Sequence, residues 1–282
     1  LISSNNEFYQ VSSSENFACG LKTDGSAWCW GDDSFGQLGN GNILTATQHA
    51  PYPVSGNYRF KQISVGNQSA CGLRRNGDVW CWGDDSFGQL GNGATTTGNQ
   101  SEPVQITLVT DFVDIDLGRL HGCGIRKNGL AWCWGEYANG KLGTGTADAT
   151  NQAEPVKISS DIKFTDISAG HSQTCATSQS GSVWCWGQNS FGQIGNGTIG
   201  GTVFSPEKVV DSNDFISVST GTETSCGIKE SGSAWCWGRN QYGKFGIGST
   251  SPASDSGLNK VANIDDFIKI TVGNKQVCGL SS

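Results

Sequence analysis

A cysteine recurs along this chain at positions 19, 71, 123, 175, 226 and 278, in steps of 52, 52, 52, 51 and 52. A phenylalanine precedes each of them by eleven residues: Phe8, Phe60, Phe112, Phe164, Phe215 and Phe267. All ten tryptophans fall in five copies of Trp-Cys-Trp-Gly, at 28–31, 80–83, 132–135, 184–187 and 235–238. A Gly-rich stretch follows each copy: GDDSFGQLGNG twice, then GEYANGKLGTG, GQNSFGQIGNG and GRNQYGKFGIG. Self-similarity at a fixed period of this length means one supersecondary unit copied in series, each copy burying its faces against its neighbours.

The second copy shows what the unit is. FKQISVG alternates at period two, SACGLRR and DVWCWGD flank a turn, and a polar loop leads to PVQITL. Strong β-formers bounded by Gly and Asn, with no helical periodicity, predict an all-β chain. Four short strands repeated about every 52 residues predict a β-propeller of four-stranded blades, six to seven in the complete chain. Residues 1–282 are read as a single propeller of five complete repeats and a partial sixth.

The central hairpin can be set in register. With the turn at Thr23-Asp24-Gly25, Lys22 faces Ser26, Leu21 faces Ala27, Gly20 faces Trp28 and Cys19 faces Cys29. The third loop residue is Gly25, Gly77, Gly129, Gly181 or Gly232, as a three-residue hairpin loop with φ > 0 at that place requires. Directly opposed cysteines in a non-hydrogen-bonded pair lie close enough to bridge. The expected disulfides are Cys19–Cys29, Cys71–Cys81, Cys123–Cys133, Cys175–Cys185 and Cys226–Cys236, leaving Cys278 unpaired. The zinc spacing C-x2-C does not occur, so disulfides and an oxidising compartment are the stronger reading.

The two tryptophans of each unit share one strand face. Opposite the first sits Gly20, Gly72, Gly124, Ala176 or Gly227, and opposite the second Ala18, Ala70, Gly122, Thr174 or Ser225. All are small, so each indole is expected to lie across the neighbouring strand and pack on the next blade. A repeated register of this kind is a core pattern rather than a sugar platform.

Residues 63–93, ISVGNQSACGLRRNGDVWCWGDDSFGQLGNG, resemble the repeat of the RCC1 (regulator of chromosome condensation) family, I-x-x-G-x-x-H-x-x-A-L-x-x-x-G-x-V-x-x-W-G-x-N-x-x-G-Q-L-G-x-G. The likeness extends over essentially the whole chain and implies a propeller, usually of seven blades. Two departures bear on function. The position that is His in the family holds Phe17, Ser69, His121, Gln173, Thr224 and Gln276, so no functional residue carries over. The paired cysteines look like the C-x9-C version of these repeats in secreted and surface proteins, particularly bacterial ones, which implies an extracellular or cell-surface location.

Composition narrows the partners. With 18 Lys and Arg against 25 Asp and Glu, the formal net charge of −7 leaves no electrostatic footprint for nucleic acid. No apolar run is long enough for membrane insertion. The start, LISSNNEFYQ, has no Met and neither the basic nor the apolar region of a signal peptide, and Leu1 to Ser4 align with a fourth-strand tail; the expectation is a processed or trimmed piece of a longer chain. There is no nucleophile elbow, phosphate loop or metal motif, so no enzyme activity and no cofactor are expected. The GQLGNG segments precede no helix and read as turns. Asp32-Asp33 and Asp84-Asp85 read as a solvated loop before a calcium site, and His121 as a satisfied polar residue near a blade interface.

Function is then sought where the units differ most, in NILTATQHAPY (42–52), ATTTGNQSE (94–102), TADATNQAE (146–154), TIGGTVFS (198–205) and STSPASDSGLN (249–259). Such loops gather on one end of a repeat scaffold and often form its binding face. Ile43, Leu44, Tyr52, Ile199, Val203 and Phe204 are the candidate contact residues. The leading expectation is an extracellular recognition or adhesion module for a protein or surface glycan. The alternatives are a structural subunit or tip of a surface fibre, with self-association through the incomplete terminal blade, and a secreted inhibitor of an enzyme. Exchange-factor activity on a small GTPase ranks last, because it needs a reducing compartment.

Overall fold

Each copy of the repeat folds into its own antiparallel sheet. The computed structural model describes residues 7–93, 98–147 and 150–282, with the backbone alone for 44–46. The first sheet is β1 (Phe8–Ser13), β2 (Phe17–Lys22), β3 (Ala27–Asp33) and β4 (Leu44–Pro53) in that order. The second is β5 (Phe60–Val65), β6 (Ser69–Arg74), β7 (Val79–Gly83) and β8 (Gln100–Gln105). The third is β9 (Phe112–Leu117), β10 (His121–Arg126), β11 (Ala131–Gly135) and β12 (Gln152–Lys157). The fourth is β13 (Phe164–Ala169), β14 (Gln173–Ser178), β15 (Val183–Gln188) and β16 (Thr202–Lys208). The fifth is β17 (Phe215–Thr220), β18 (Thr224–Lys229), β19 (Ala234–Arg239) and β20 (Ser254–Lys260), and the last described sheet is the pair β21 (Phe267–Val272) and β22 (Val277–Ser281). These are five full propeller blades and a partial one. The expected strand tail at Leu1 to Ser4 lies outside the described residues.

The chain divides into two compact units. The first comprises Leu1–Lys127, Cys133–Glu136 and Thr150–Val156, and the second Asn128–Trp132, Tyr137–Ala149 and Lys157–Ser282.

The hairpin register is the one the turn glycines dictate. Cys19 opposes Cys29, Gly20 opposes Trp28 and Ala18 opposes Trp30, with Gly25 at φ 83°. The ten cysteines stand in five pairs at disulfide distance: Cys19–Cys29, Cys71–Cys81, Cys123–Cys133, Cys175–Cys185 and Cys226–Cys236. All ten are fully buried, whereas Cys278 on β22 is free and exposed.

The tryptophans divide into two roles. In each of the second to fifth blades the second one is wholly buried (Trp82, Trp134, Trp186 and Trp237). Its indole N–H donates to a carbonyl in the preceding blade's Gly-rich loop: Trp82 to Gln37 at 3.0 Å, Trp134 to Gln89 at 2.9 Å, Trp186 to Lys141 at 2.9 Å and Trp237 to Gln193 at 3.0 Å. The indole lies directly over Gly39, Gly91, Gly143 or Gly195, all at positive φ, where any Cβ would meet the ring. The first tryptophan of each unit, Trp28 for instance, is only half-buried. The space beside its small partner is taken by another ring, since a Cβ on Gly20 would meet Phe8 at 2.7 Å and one on Gly72 would meet Phe60 at 2.5 Å. The small residue opposite the first Trp therefore admits the phenylalanine eleven residues before the cysteine, not the indole.

The first strands are joined by side chains standing in for a backbone ladder. Gln10 donates to the Ile63 carbonyl at 2.9 Å and accepts from the Ile63 N–H at 3.1 Å. Ser64 accepts from Leu117 N–H at 2.9 Å, and in the second unit Ser168 accepts from Thr220 N–H at 3.0 Å and Ser219 from Val272 N–H at 3.0 Å. Such bonds satisfy edge groups that would otherwise be open.

The Gly-rich loops are held from within by Asp32-Asp33 and Asp84-Asp85, which are not the solvated acids the sequence suggests: Asp33, Asp84 and Asp85 are buried. Asp32 accepts from the Ser34 hydroxyl at 2.6 Å and from Gln37 at 3.0 Å, and Asp84 does the same with Ser86 at 2.5 Å and Gln89 at 2.7 Å. Asp33 and Asp85 accept from Leu38 and Leu90 N–H at 3.0 and 3.1 Å. The fourth and fifth blades have Asn189 and Asn240 there; each makes the same acceptor bond, and its amide also donates to the carbonyl of Thr198 or Ser249 at 3.0 Å. Burial, more than the nearby Asp84, pushes the Asp85 carboxyl up from 3.8 to about 6. A folded-state value above the unfolded one means stability falls as pH rises through the window from 3.8 to about 6. Asp85→Asn is expected to remove that slope and raise stability at pH 7 by about 1–2 kcal/mol after allowance for solvent screening. Urea melts of both proteins at pH 4 and pH 8 test this; a variant less stable than the parent at pH 8 would refute it.

Candidate docking groove

The turn of the first hairpin lands on the entry to the second blade. Gly25, free of a Cβ, lets the Phe60 carbonyl approach to 3.0 Å of where one would stand, and Phe60 N–H donates to the Gly25 carbonyl at 2.8 Å. This contact leaves an open cleft of about 660 Å³ lined by Tyr9, Asp24, Arg59, Lys61, Arg74 and Arg75, among others. A smaller cleft of about 210 Å³ adjoins it on the other side of Arg59, lined by Trp28, Pro53 and Tyr58. Tyr58 stacks on Trp80 with ring centroids 4.4 Å apart.

The groove is cationic in a chain of net charge −7. Arg59 meets Asp24 at 3.8 Å. Hydrogen bonds from the Ser26 hydroxyl and N–H hold the Asp24 carboxyl below its ordinary value, with a lesser pull from Arg59. Lys61 donates to the Val113 carbonyl at 2.9 Å, and Tyr9 donates to the Lys61 carbonyl at 3.1 Å. Lys22 lies 3.9 Å from the centre of the Trp28 ring, a cation–π contact. Among the described residues neither Arg74 nor Arg75 forms an ion pair; Arg74 is half-buried and Arg75 exposed. Such a groove offers planar, bidentate donors to carboxylates beside aromatic faces.

The candidate contact residues read from sequence are differently placed. Ile43, Tyr52 and Ile199 are exposed. The Leu44 side chain lies outside the described residues. Val203 and Phe204 are half-buried: the Phe204 ring covers Gly140, and its carbonyl accepts from Gly145 N–H at 2.8 Å. Much of what reads as loop is the fourth strand, β4, β8, β12, β16 and β20. Its polar side chains hide the alternation because it pairs with the Trp-Cys-Trp strand on one side only. The groove residues were missed in the sequence; the signal for them is the crowding of Arg59, Lys61, Arg74 and Arg75 in a chain with only 18 Lys and Arg.

His121, singled out in the sequence, is buried. Among the described residues no group of three or more His, Cys, Asp or Glu side chains is arranged to hold a metal ion, and no helix is long and apolar enough to cross a membrane.

Comparison with known proteins gives a consistent family. The family model described as RCC1-like domain matches residues 2–282. The ultraviolet-B receptor UVR8 of Arabidopsis thaliana is 29% identical over 228 residues, covering 79% of this chain and 50% of the receptor. The chain thus spans half the length of that relative. Yeast RCC1 (Prp20), solved bound to Kap60, has a TM-score of 0.82 at 20% identity, covering 98% of this chain and 67% of that one. The ectodomain of the Arabidopsis thaliana receptor kinase ACR4 has a TM-score of 0.58 at 21% identity, covering 99% of this chain and 79% of that one. At these identities the structural likenesses speak to the fold.

Proposed function

Since the chain belongs to the RCC1-like domain family, we propose that residues 1–282 are a non-enzymatic recognition module working in an oxidising compartment, at the cell surface or outside the cell. The observation that carries this reading is the buried cross-strand cysteine pair in the same hairpin of all five complete blades. Disulfides persist in secreted and surface proteins and are rare in reducing compartments. A stapled hairpin also fixes the turn that forms one wall of the groove, so the surface is presented without ordering cost on binding. The module's partner is a protein; adhesion to another cell or matrix is the role that fits a rigid surface-displayed scaffold. Yeast RCC1 bound to Kap60 carries the same fold in complex with a protein. A building block of a surface fibre, an inhibitor that covers an enzyme's site, and a GTPase exchange factor rank behind it in that order.

Alkylation of the protein taken from its native source, before any reduction, tests the compartment. The expected mass increase is one alkyl group, on Cys278. Addition of eleven groups would place the chain in a reducing compartment and bring the exchange-factor reading to the front.

A further inference from the structure

The second blade breaks a charge rule that its neighbours keep. The last residue of the second strand pairs with the first-strand Phe in each blade and so stands diagonal to the residue before that Phe. In the third blade the diagonal pair is Asp111 and Arg126, joined at 2.5 Å. The first has Glu7 and Lys22 at these places, the fifth Asp214 and Lys229, the fourth Lys163 and Ser178, and the last Asp266 and Ser281. Only the second blade sets two cations there, Arg59 and Arg74. It adds Lys61, where the other blades have Tyr9, Val113, Thr165, Ile216 and Ile268, and Arg75 at the tip of the hairpin. All four line the cleft of about 660 Å³. Asp24, 3.8 Å from Arg59, is the one acid among the described residues of its lining. Unbalanced like charge is a cost to folding, and departures of this kind from a local rule collect at functional sites.

We propose that this groove binds an extended acidic segment of a partner protein, with carboxylates on Arg59, Arg74 and Arg75 and an aromatic or aliphatic residue against Tyr9. The inference rests on the recognition reading above and names the partner's chemistry. Arginine forks match carboxylates bidentately, and clustered arginines are a recurring mode of acidic-motif capture. Three features favour a peptide over a sulfated glycan. Two hairpin turns, at Thr23–Gly25 and Arg74–Asn76, border the open cleft, the exposed Tyr9 ring lines it, and Asp24 stands within it, where a uniform polyanion would be repelled.

Fluorescence anisotropy of the oxidised full chain with a labelled peptide of alternating Glu and Tyr tests this, with a peptide of alternating Lys and Tyr as control. The acidic peptide is expected to bind, with affinity falling as salt shortens the Debye length below about 10 Å. Arg59→Asp would give Arg74 the partner that Asp111 gives Arg126. It is expected to weaken the acidic peptide about tenfold or more with little change in the melting temperature, the new pairing with Arg74 offsetting the lost contact with Asp24. A purely structural role for Arg59 predicts the reverse, a lower melting temperature with binding unmoved. Equal binding of both peptides, unchanged binding by Arg59→Asp, or tighter direct binding of a sulfated oligosaccharide would each overturn the proposal. Any of these with a single alkyl group on the native protein removes the acidic-segment groove and leaves the recognition module standing; eleven alkyl groups count against the module itself.

Discussion

Once reduced in denaturant and returned to buffer with its thiols blocked, the protein is expected to remain largely unfolded at 37 °C, whereas the oxidised chain refolds. Each hairpin bridge closes a ten-residue separation, worth roughly 2–3 kcal/mol in the chain-entropy account and less where the hairpin persists in the unfolded chain. Five such terms together are comparable with the whole net stability of about 5–15 kcal/mol typical of a domain. Blocking adds a second injury, because all ten sulfurs sit in fully buried positions with no room for an alkyl group. The same burial predicts that a reductant without denaturant acts slowly. Circular dichroism of the two refolded samples decides the matter. Native spectra and unchanged melting in the blocked protein would mean that blade packing alone holds the fold.

Trp134→Ala is expected to cost about 3–5 kcal/mol, the range for truncating a buried aromatic, and to leave the Gln89 carbonyl without its donor. Trp134 is wholly buried, its N–H is 2.9 Å from that carbonyl, and its ring centroid is 6.0 Å from that of Phe112. Trp28→Ala is the contrast, at about 1 kcal/mol, because that indole is half-buried and its N–H donates to the Ser26 hydroxyl, two residues away on its own hairpin, at 3.2 Å. Trp134→Phe, which keeps a ring and loses the bond, should fall between them. Equal losses at Trp134 and Trp28 in urea melts would show that the indole-to-loop bond contributes nothing particular.

The hairpin was legible in the sequence because its determinants are local. Gly25 and its equivalents fix the turn, the turn fixes the register, and the register brings Cys19 to Cys29. The separation of the two tryptophans was not legible, since Trp80 and Trp82 share one strand face and differ only in what the neighbouring blade brings to them. For the same reason Gly20 could not be recognised as the seat of Phe8, which arrives from another strand. Gln10, Ser64 and Ser168 read as ordinary polar strand residues; their role depends on a strand 52 or 53 residues away. The fourth strands read partly as loops because edge pairing places few demands on side chains. The groove was hidden because Arg59 and Arg74, fifteen residues apart, become neighbours only when the hairpin folds back.

In the second to fifth blades the bond from the second tryptophan to the loop one blade earlier always runs in the same sense along the chain, over 44 or 45 residues. Every interior copy therefore carries both halves of the joint, an indole facing backward and a glycine-carbonyl seat facing forward. Gain or loss of a whole copy by unequal recombination leaves each remaining indole a seat of the same kind, so copy number can drift between lineages without any new interface having to evolve. What a lineage cannot exchange so freely is the second copy, whose cluster of Arg59, Lys61, Arg74 and Arg75 is written into no other.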